Sequence, residues 1–163
     1  MTIRNTRPEE LDELEIIYAN ARRFMAENGN PHQWGDEQYP SRALLEEDVR
    51  LGQSFVCVEG DEILATYCLT RGPEGYYTPI YEGAWLDDAD YVVVHRIANA
   101  GKKAGAGQFC LRHVLEHYGN LRIDTHPDNL PMQGLLNRMG FALCGTLYYT
   151  DGTPRLAYQK TGL

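Results

Sequence analysis

Leu11, Leu14, Ile17, Tyr18, Ala21, Phe24 and Met25 recur at the spacing of a helix with one buried face. Thr6 predicts the cap of that helix, with Pro8 in its first turn and Glu9 closing a T-x-x-E capping box. Asn28-Gly29-Asn30-Pro31 predicts its end. After a loop holding His32, Gln33, Trp34 and Tyr39, Ser41 opens a shorter helix with Leu44, Leu45 and Val49 on its apolar side, and Gly52 ends it. Two strand-like runs follow, 54–58 and 62–70, and their Glu59-Gly60-Asp61 connection predicts a β-hairpin.

Residues 71–90, RGPEGYYTPIYEGAWLDDAD, read as a connection rich in Gly, Pro and Tyr. Behind it, 91–98 (YVVVHRIA) predicts a strand of β-branched and aromatic residues. A glycine-rich turn leads to a helix whose apolar stripe is Cys110, Leu111, Val114, Leu115 and Tyr118. Then come a strand at 121–125, a short helix at 131–138 ended by Gly140, and strands at 141–149 and 156–159 around an Asp151-Gly152 turn. With a leading strand the order is β-α-α-β-β-β-α-β-α-β-β. That order predicts a single mixed sheet with helices on both faces, in one domain spanning 1–163.

Composition narrows the partners. The net charge of −8 disfavours nucleic acid, whose phosphates are held by clustered Lys and Arg, and suits a cationic or neutral small molecule. Cys57, Cys68, Cys110 and Cys144 have neither zinc nor disulfide spacing and read as buried free thiols, and no metal is expected. The first residues lack an apolar signal region, and no run approaches the ~18 apolar residues of a membrane span. A cytoplasmic protein with no membrane partner is the expectation.

The candidate chemistry sits at 100–107, AGKKAGAG, between a strand and a helix. Neither the G-x-x-x-x-G-K-[ST] nor the G-x-G-x-x-G spacing is present. What remains is K-x-x-G-x-G from Lys102 to Gly107. Glycines two apart let backbone amides approach an oxyanion, and the helix dipole adds ~0.3–1 kcal/mol for an anion there. Two readings stay open on this stretch alone: a phosphate cradle, or a flexible loop with solvated lysines.

Residues 91–107 are similar to the central motif of the GNAT family of N-acetyltransferases, Q/R-x-x-G-x-G/A between a strand and a long helix. Residues 122–141, RIDTHPDNLPMQGLLNRMGF, resemble its second motif, in which an Asn, a short helix and a Gly-Phe pair follow a strand; here they are Asn129, Gly140 and Phe141. The resemblance implies an α+β fold of the acyl-CoA N-acyltransferase type, with a twisted, mostly antiparallel sheet of six to seven strands. Two positions depart from the pattern. Lys102 stands where Gln or Arg is usual, and Leu136 where the family often has the Tyr that protonates the departing thiolate.

The resemblance also implies acetyl-CoA as co-substrate and direct attack by a primary amine of a small molecule, amino acid or peptide. The pyrophosphate would meet Lys102, Lys103, Ala104, Gly105, Ala106 and Gly107. Unpaired backbone near Ile97, Ala98 and Asn99 would hold the pantetheine arm and polarise the thioester, and Asn129 would contact the arm. His95 and His126 are candidate bases, each with a purely local structural reading beside it. Tyr148 and Tyr149 are candidate replacements for the missing acid. Gln33, Trp34, Tyr77 and Tyr81 are candidate acceptor contacts, since polar-tipped aromatics line small-molecule pockets. A binding-only acyl-CoA module and a phosphate-binding regulatory domain are the rival functions, and a homodimer through strands near the C-terminus is a further expectation.

Overall fold

The computed structural model describes residues 1–34 and 38–163. Its elements run β1 (Thr2–Asn5), α1 (Leu11–Glu27), α2 (Arg42–Arg50), β2 (Ser54–Glu59), β3 (Glu62–Arg71), β4 (Val92–Asn99), α3 (Ala106–Tyr118), β5 (Asn120–Thr125), α4 (Leu130–Arg138), β6 (Ala142–Tyr148) and β7 (Pro154–Thr161). They form one seven-stranded sheet of order β1-β2-β3-β4-β5-β7-β6. Every pairing is antiparallel except β4 with β5, which is parallel. The predicted fold class and element order are both found.

Period-two alternation decides which face each strand side chain serves. On β5, Leu121 and Ile123 enter the core under α3 and α4, with Val92, Val94, Leu111, Val114 and Leu136. A Leu as buried as Leu111 contributes about 1.5–3 kcal/mol, so this packing fixes α3 and the turn at its N-terminus. A second core joins Leu14, Ile17 and Tyr18 of α1 and Leu45 of α2 to Val56, Val58, Ile63 and Ala98. Ser41 caps α2 by accepting the Leu44 N–H at 3.1 Å.

Three expectations of local structure change. Thr6 does not cap α1: β1 carries it to the sheet margin, where its hydroxyl lies 2.6 Å from that of Ser54. Glu10, not Glu9, closes the helix start, accepting the Arg7 N–H at 2.8 Å and both guanidinium nitrogens of Arg4. Phe24 and Tyr118 lie on their predicted stripes yet are exposed, each in the last turn of its helix.

Near the C-terminus, β7 lies inside the sheet between β5 and β6. The outer edge of β6 is partly occupied, since Tyr81 exchanges two backbone hydrogen bonds with Thr146 and Ala84 donates to Cys144. Among the described residues no helix is long and apolar enough to cross a membrane, and no group of three or more metal-ligating side chains converges.

Candidate active site

β4 and β5 pair only at Val92–Leu121 and Val93–Arg122. Beyond that point the two strands part, so the β5-facing backbone of the second half of β4 has no strand partner. A bulge falls in the same half: β3 moves from Thr66 to Cys68 while β4 moves from Ala98 to His95. The additional residue forces Arg96 to a positive φ of 51°. Two contacts hold this strained point. The Arg96 carbonyl accepts from the Tyr18 hydroxyl at 2.8 Å, and its guanidinium meets Asp48 at 2.6 Å with both side chains largely buried. Ile97, Ala98 and Asn99 therefore follow a fixed kink at the mouth of the strand split.

The glycine turn continues directly from that mouth. Asn99 accepts the Gly101 N–H at 2.8 Å, and Gly101 and Gly105 take φ of 77° and 87°, values that only glycine adopts without strain. Gly105 is the residue before α3, so the first amides of that helix, from Ala106 and Gly107 on, lie at an open N-terminus. A Cβ added at Gly107 would meet only Leu135 Cδ2, at 3.7 Å. Lys102 and Lys103 are exposed and already paired, with Glu13 at 3.8 Å and Glu59 at 2.6 Å. In this turn the backbone, more than the lysines, offers donors for an anion.

A cleft of about 490 Å³ opens beside the split. It draws Val94, His95 and Arg96 from β4, Asp124 from β5, and Asp48 from α2. Leu44 and Glu47 of α2, Cys68 and Thr70 of β3 and Arg155 of β7 also line it, and connections add Gln33, Trp34 and Tyr39 after α1, Glu74 and Tyr76 after β3, and Tyr149 in the last hairpin. His95 and Asp124 stand on alternating positions of strands whose other side chains enter the α3 core, so both face away from that core.

Two carboxylates organise the cleft. Nε2 of His95 lies 3.3 Å from Glu74 Oε2 and 3.1 Å from the Thr70 hydroxyl. That hydrogen bond holds the Glu74 carboxyl below its ordinary range, so the dyad contains an ionised carboxylate. Asp124 Oδ1 accepts from the hydroxyls of Tyr76 at 3.0 Å and Tyr77 at 2.7 Å. Burial and the Asp124 charge push both phenols upward, so they remain neutral donors. Cys68 also lines the cleft, but burial pushes its thiol up to about 12, which removes it as a nucleophile at neutral pH.

The candidate residues separate clearly. His95, Tyr149, Gln33 and Trp34 all line the cleft. His126 does not: its Nδ1 accepts the Asp128 N–H at 3.0 Å, and burial, then repulsion from Arg155, hold it below its ordinary value. Asn129 caps α4 by accepting from Met132 at 3.2 Å and donates to Gln33 at 2.8 Å. Tyr148 and Tyr81 pack edge to face at 5.3 Å on the exposed β6 edge, away from the cleft lining. Tyr77 is fully buried and reaches the site only through its hydroxyl on Asp124. Leu136 is fully buried in the α3–α4 core. Sequence reasoning missed Glu74, Asp124 and Arg155, which are far apart along the chain.

The chain is similar along its whole length to known structures. A GNAT-family acetyltransferase from Streptococcus agalactiae is 34% identical, with 99% of this chain and 95% of that one covered and a TM-score of 0.91. A GNAT-family acetyltransferase from Listeria monocytogenes shares the fold at 18% identity, over 98% and 94% of the chains with a TM-score of 0.71. So does a ribosomal-protein-alanine N-acetyltransferase from Brucella melitensis, at 18% identity over 99% of each chain and a TM-score of 0.64. No family model and no curated protein matches the chain.

Proposed function

This chain belongs to the GNAT family of acetyltransferases, and on that premise we propose that it transfers the acetyl group of acetyl-CoA to a primary amine bound in the cleft. The observation that carries this reading is the β4–β5 split, which pairs at two positions only and opens between the glycine turn and the cleft. In this proposal the amides from Lys102 to Gly107 receive the pyrophosphate. Free backbone at Ile97, Ala98 and Asn99 holds the pantetheine arm and donates to the thioester oxygen as charge develops there.

The acceptor arrives as an ammonium, with an ordinary pKa near ~10.4, and must lose a proton before it attacks. The His95–Glu74 dyad serves as base. With the Nε2 proton directed at Glu74, the Nδ1 lone pair takes the proton from the amine, and the ionised Glu74 stabilises the imidazolium. His126 is the weaker candidate, because its Nδ1 lone pair is already used by the Asp128 N–H. The amine nitrogen bonds to the acetyl carbon, the C–S bond breaks, and the thiolate leaves. A thiolate of ordinary pKa ~8.5 departs without a dedicated acid, and Tyr149, the tyrosine of the candidate pair that lines the cleft, is the donor in reach. The four free thiols fit a reducing, cytoplasmic setting.

Leu136 at the usual Tyr position is the observation that favours the rival reading, a module that binds acyl-CoA without turnover. Acetyl-CoA at about 100 times its Kd should raise stability by about 2.7 kcal/mol, or Tm by ~5–10 °C, where ATP gives no shift. Release of free CoA thiol with an amine then separates enzyme from binding module. A shift without thiol release from any amine would establish the module, and no shift at all would overturn both.

A further inference from the structure

The cleft holds cations and carboxylates in unequal states of use. Arg96 is paired with Asp48. Arg155 donates to Thr153, to the Pro154 carbonyl and, at 3.0 Å, to the Gln33 carbonyl, while its guanidinium lies 5.4 Å from the Tyr149 ring centre. Arg155 is committed to the chain through both terminal nitrogens, whereas Arg96 has one terminal nitrogen on Asp48 and a buried Nε that makes no hydrogen bond, so neither presents an unused two-nitrogen fork to a carboxylate on the acceptor. Asp124 is the opposite case. Tyr76 and Tyr77 both donate to its Oδ1 and fix its orientation, while no side chain among the described residues donates to Oδ2. That oxygen belongs to a cleft-lining residue, next to the Tyr76–Tyr149 ring pair, whose centres are 5.0 Å apart. An oriented carboxylate beside aromatic rings recognises an organic cation.

We propose that the acceptor is a dication, an amine whose second, non-reacting ammonium is held by Asp124 Oδ2 beside Tyr76 and Tyr149, and that acceptors with a carboxylate in place of that ammonium are rejected. The proposal rests on the acetyl-transfer reading for its reacting amine but not for the cation site. Desolvating the second ammonium is offset by a charged hydrogen bond and by ring faces, whereas a carboxylate there faces Asp124 across a low-dielectric cleft.

Three four-carbon probes test it: 1,4-diaminobutane, 1-aminobutane and 4-aminobutanoate, each at saturating acetyl-CoA, with CoA thiol as the readout. The diamine should exceed the monoamine by about ten- to hundred-fold in kcat/KM, and the amino acid should be poorest. Asp124→Asn keeps an oxygen for both tyrosines and should collapse the diamine-to-monoamine ratio toward one through KM. Equal rates for diamine and monoamine, or a preferred amino acid, would overturn the proposal. Calorimetric binding of the same probes to the native chain with CoA needs neither turnover nor a folded variant. Selective diamine binding without thiol release would sustain the cation site and remove the transferase reading. Thiol release without diamine selectivity would do the reverse.

Discussion

The glycine turn and the cleft both adjoin the second half of β4, yet they are made of different material. The turn is a contiguous stretch whose geometry lives in the backbone, in the φ of Gly101 and Gly105 and the open amides at the start of α3. Its two lysines are tied to Glu13 and Glu59 on the surface. The cleft is made of side chains, brought from Gln33, Glu74, His95, Asp124 and Tyr149 by a sheet that places distant segments side by side. A backbone device tolerates most side-chain changes and fails when bulk or charge enters it. A side-chain device fails one residue at a time. The two regions should therefore respond to opposite kinds of substitution.

The largest effect is expected at the turn. Gly107→Glu places a carboxylate where the pyrophosphate is received, in space that is otherwise empty out to Leu135. Acetyl-CoA affinity should fall by about three orders of magnitude while the apo chain melts normally. Gly107→Ala, which adds bulk without charge, should lose far less. A Gly107→Glu variant that still shows the full melting shift would mean that the turn binds no phosphate. Next in size is the cleft's own failure: His95→Gln should lower kcat by about 100-fold or more while the acetyl-CoA melting shift persists. Retained kcat would remove the His95–Glu74 dyad from the reaction.

The same contrast explains what could be read from the chain. Glycine punctuation, helix period and strand alternation are local, so the element order, the α+β class and the glycine turn were all legible. The cap at Thr6 failed because Ser54, far along the chain, takes its hydroxyl. Tyr77 and Tyr81 were drawn in by composition alone; the sheet buries one and leaves the other on the β6 edge. Glu74 and Asp124 carry no local signal, since one sits in a loop and the other in a strand. The β3–β4 pairing brings the loop that holds Glu74 to His95, and Asp124 joins their cleft from β5 past the point where that strand parts from β4. The Arg96 kink is likewise invisible in sequence, because an Arg at φ 51° is held there by Tyr18 and Asp48.

Gln33 ties the cleft to the start of α4 and gives a smaller, sharper test. Its Oε1 accepts from Asn30 at 2.9 Å, Asn129 at 2.8 Å and Thr125 at 3.4 Å, which ties the loop after α1 to the start of α4. Gln33→Ala leaves two largely buried amide donors without that acceptor and should cost about 1–3 kcal/mol in a melting or denaturant experiment. The KM for the amine should rise, with acetyl-CoA affinity little changed because the glycine turn does not depend on this loop. If acetyl-CoA affinity fell in parallel, the comparison would break, and Asn129 would be shown to serve the cofactor through Gln33.

The smallest effect concerns His126, which lies outside the cleft. Burial and Arg155 hold its folded pKa below the reference value of 6.5, so the unfolded chain takes up the proton first as pH falls. The stabilising contribution is complete above about 6.5 and is lost as pH drops from there through the folded value. His113 on α3 is depressed by burial, and then by His117, so it acts in the same direction. Tm should therefore fall between pH 7 and pH 5.5. In His126→Asn, whose side-chain oxygen can still accept the Asp128 N–H, only the His113 share of that fall should remain. An unchanged slope would mean that His126 titrates alike folded and unfolded. A lost catalytic rate in the same variant would move the base from His95 to His126, and with it the boundary drawn here between the cleft and the strand end behind it.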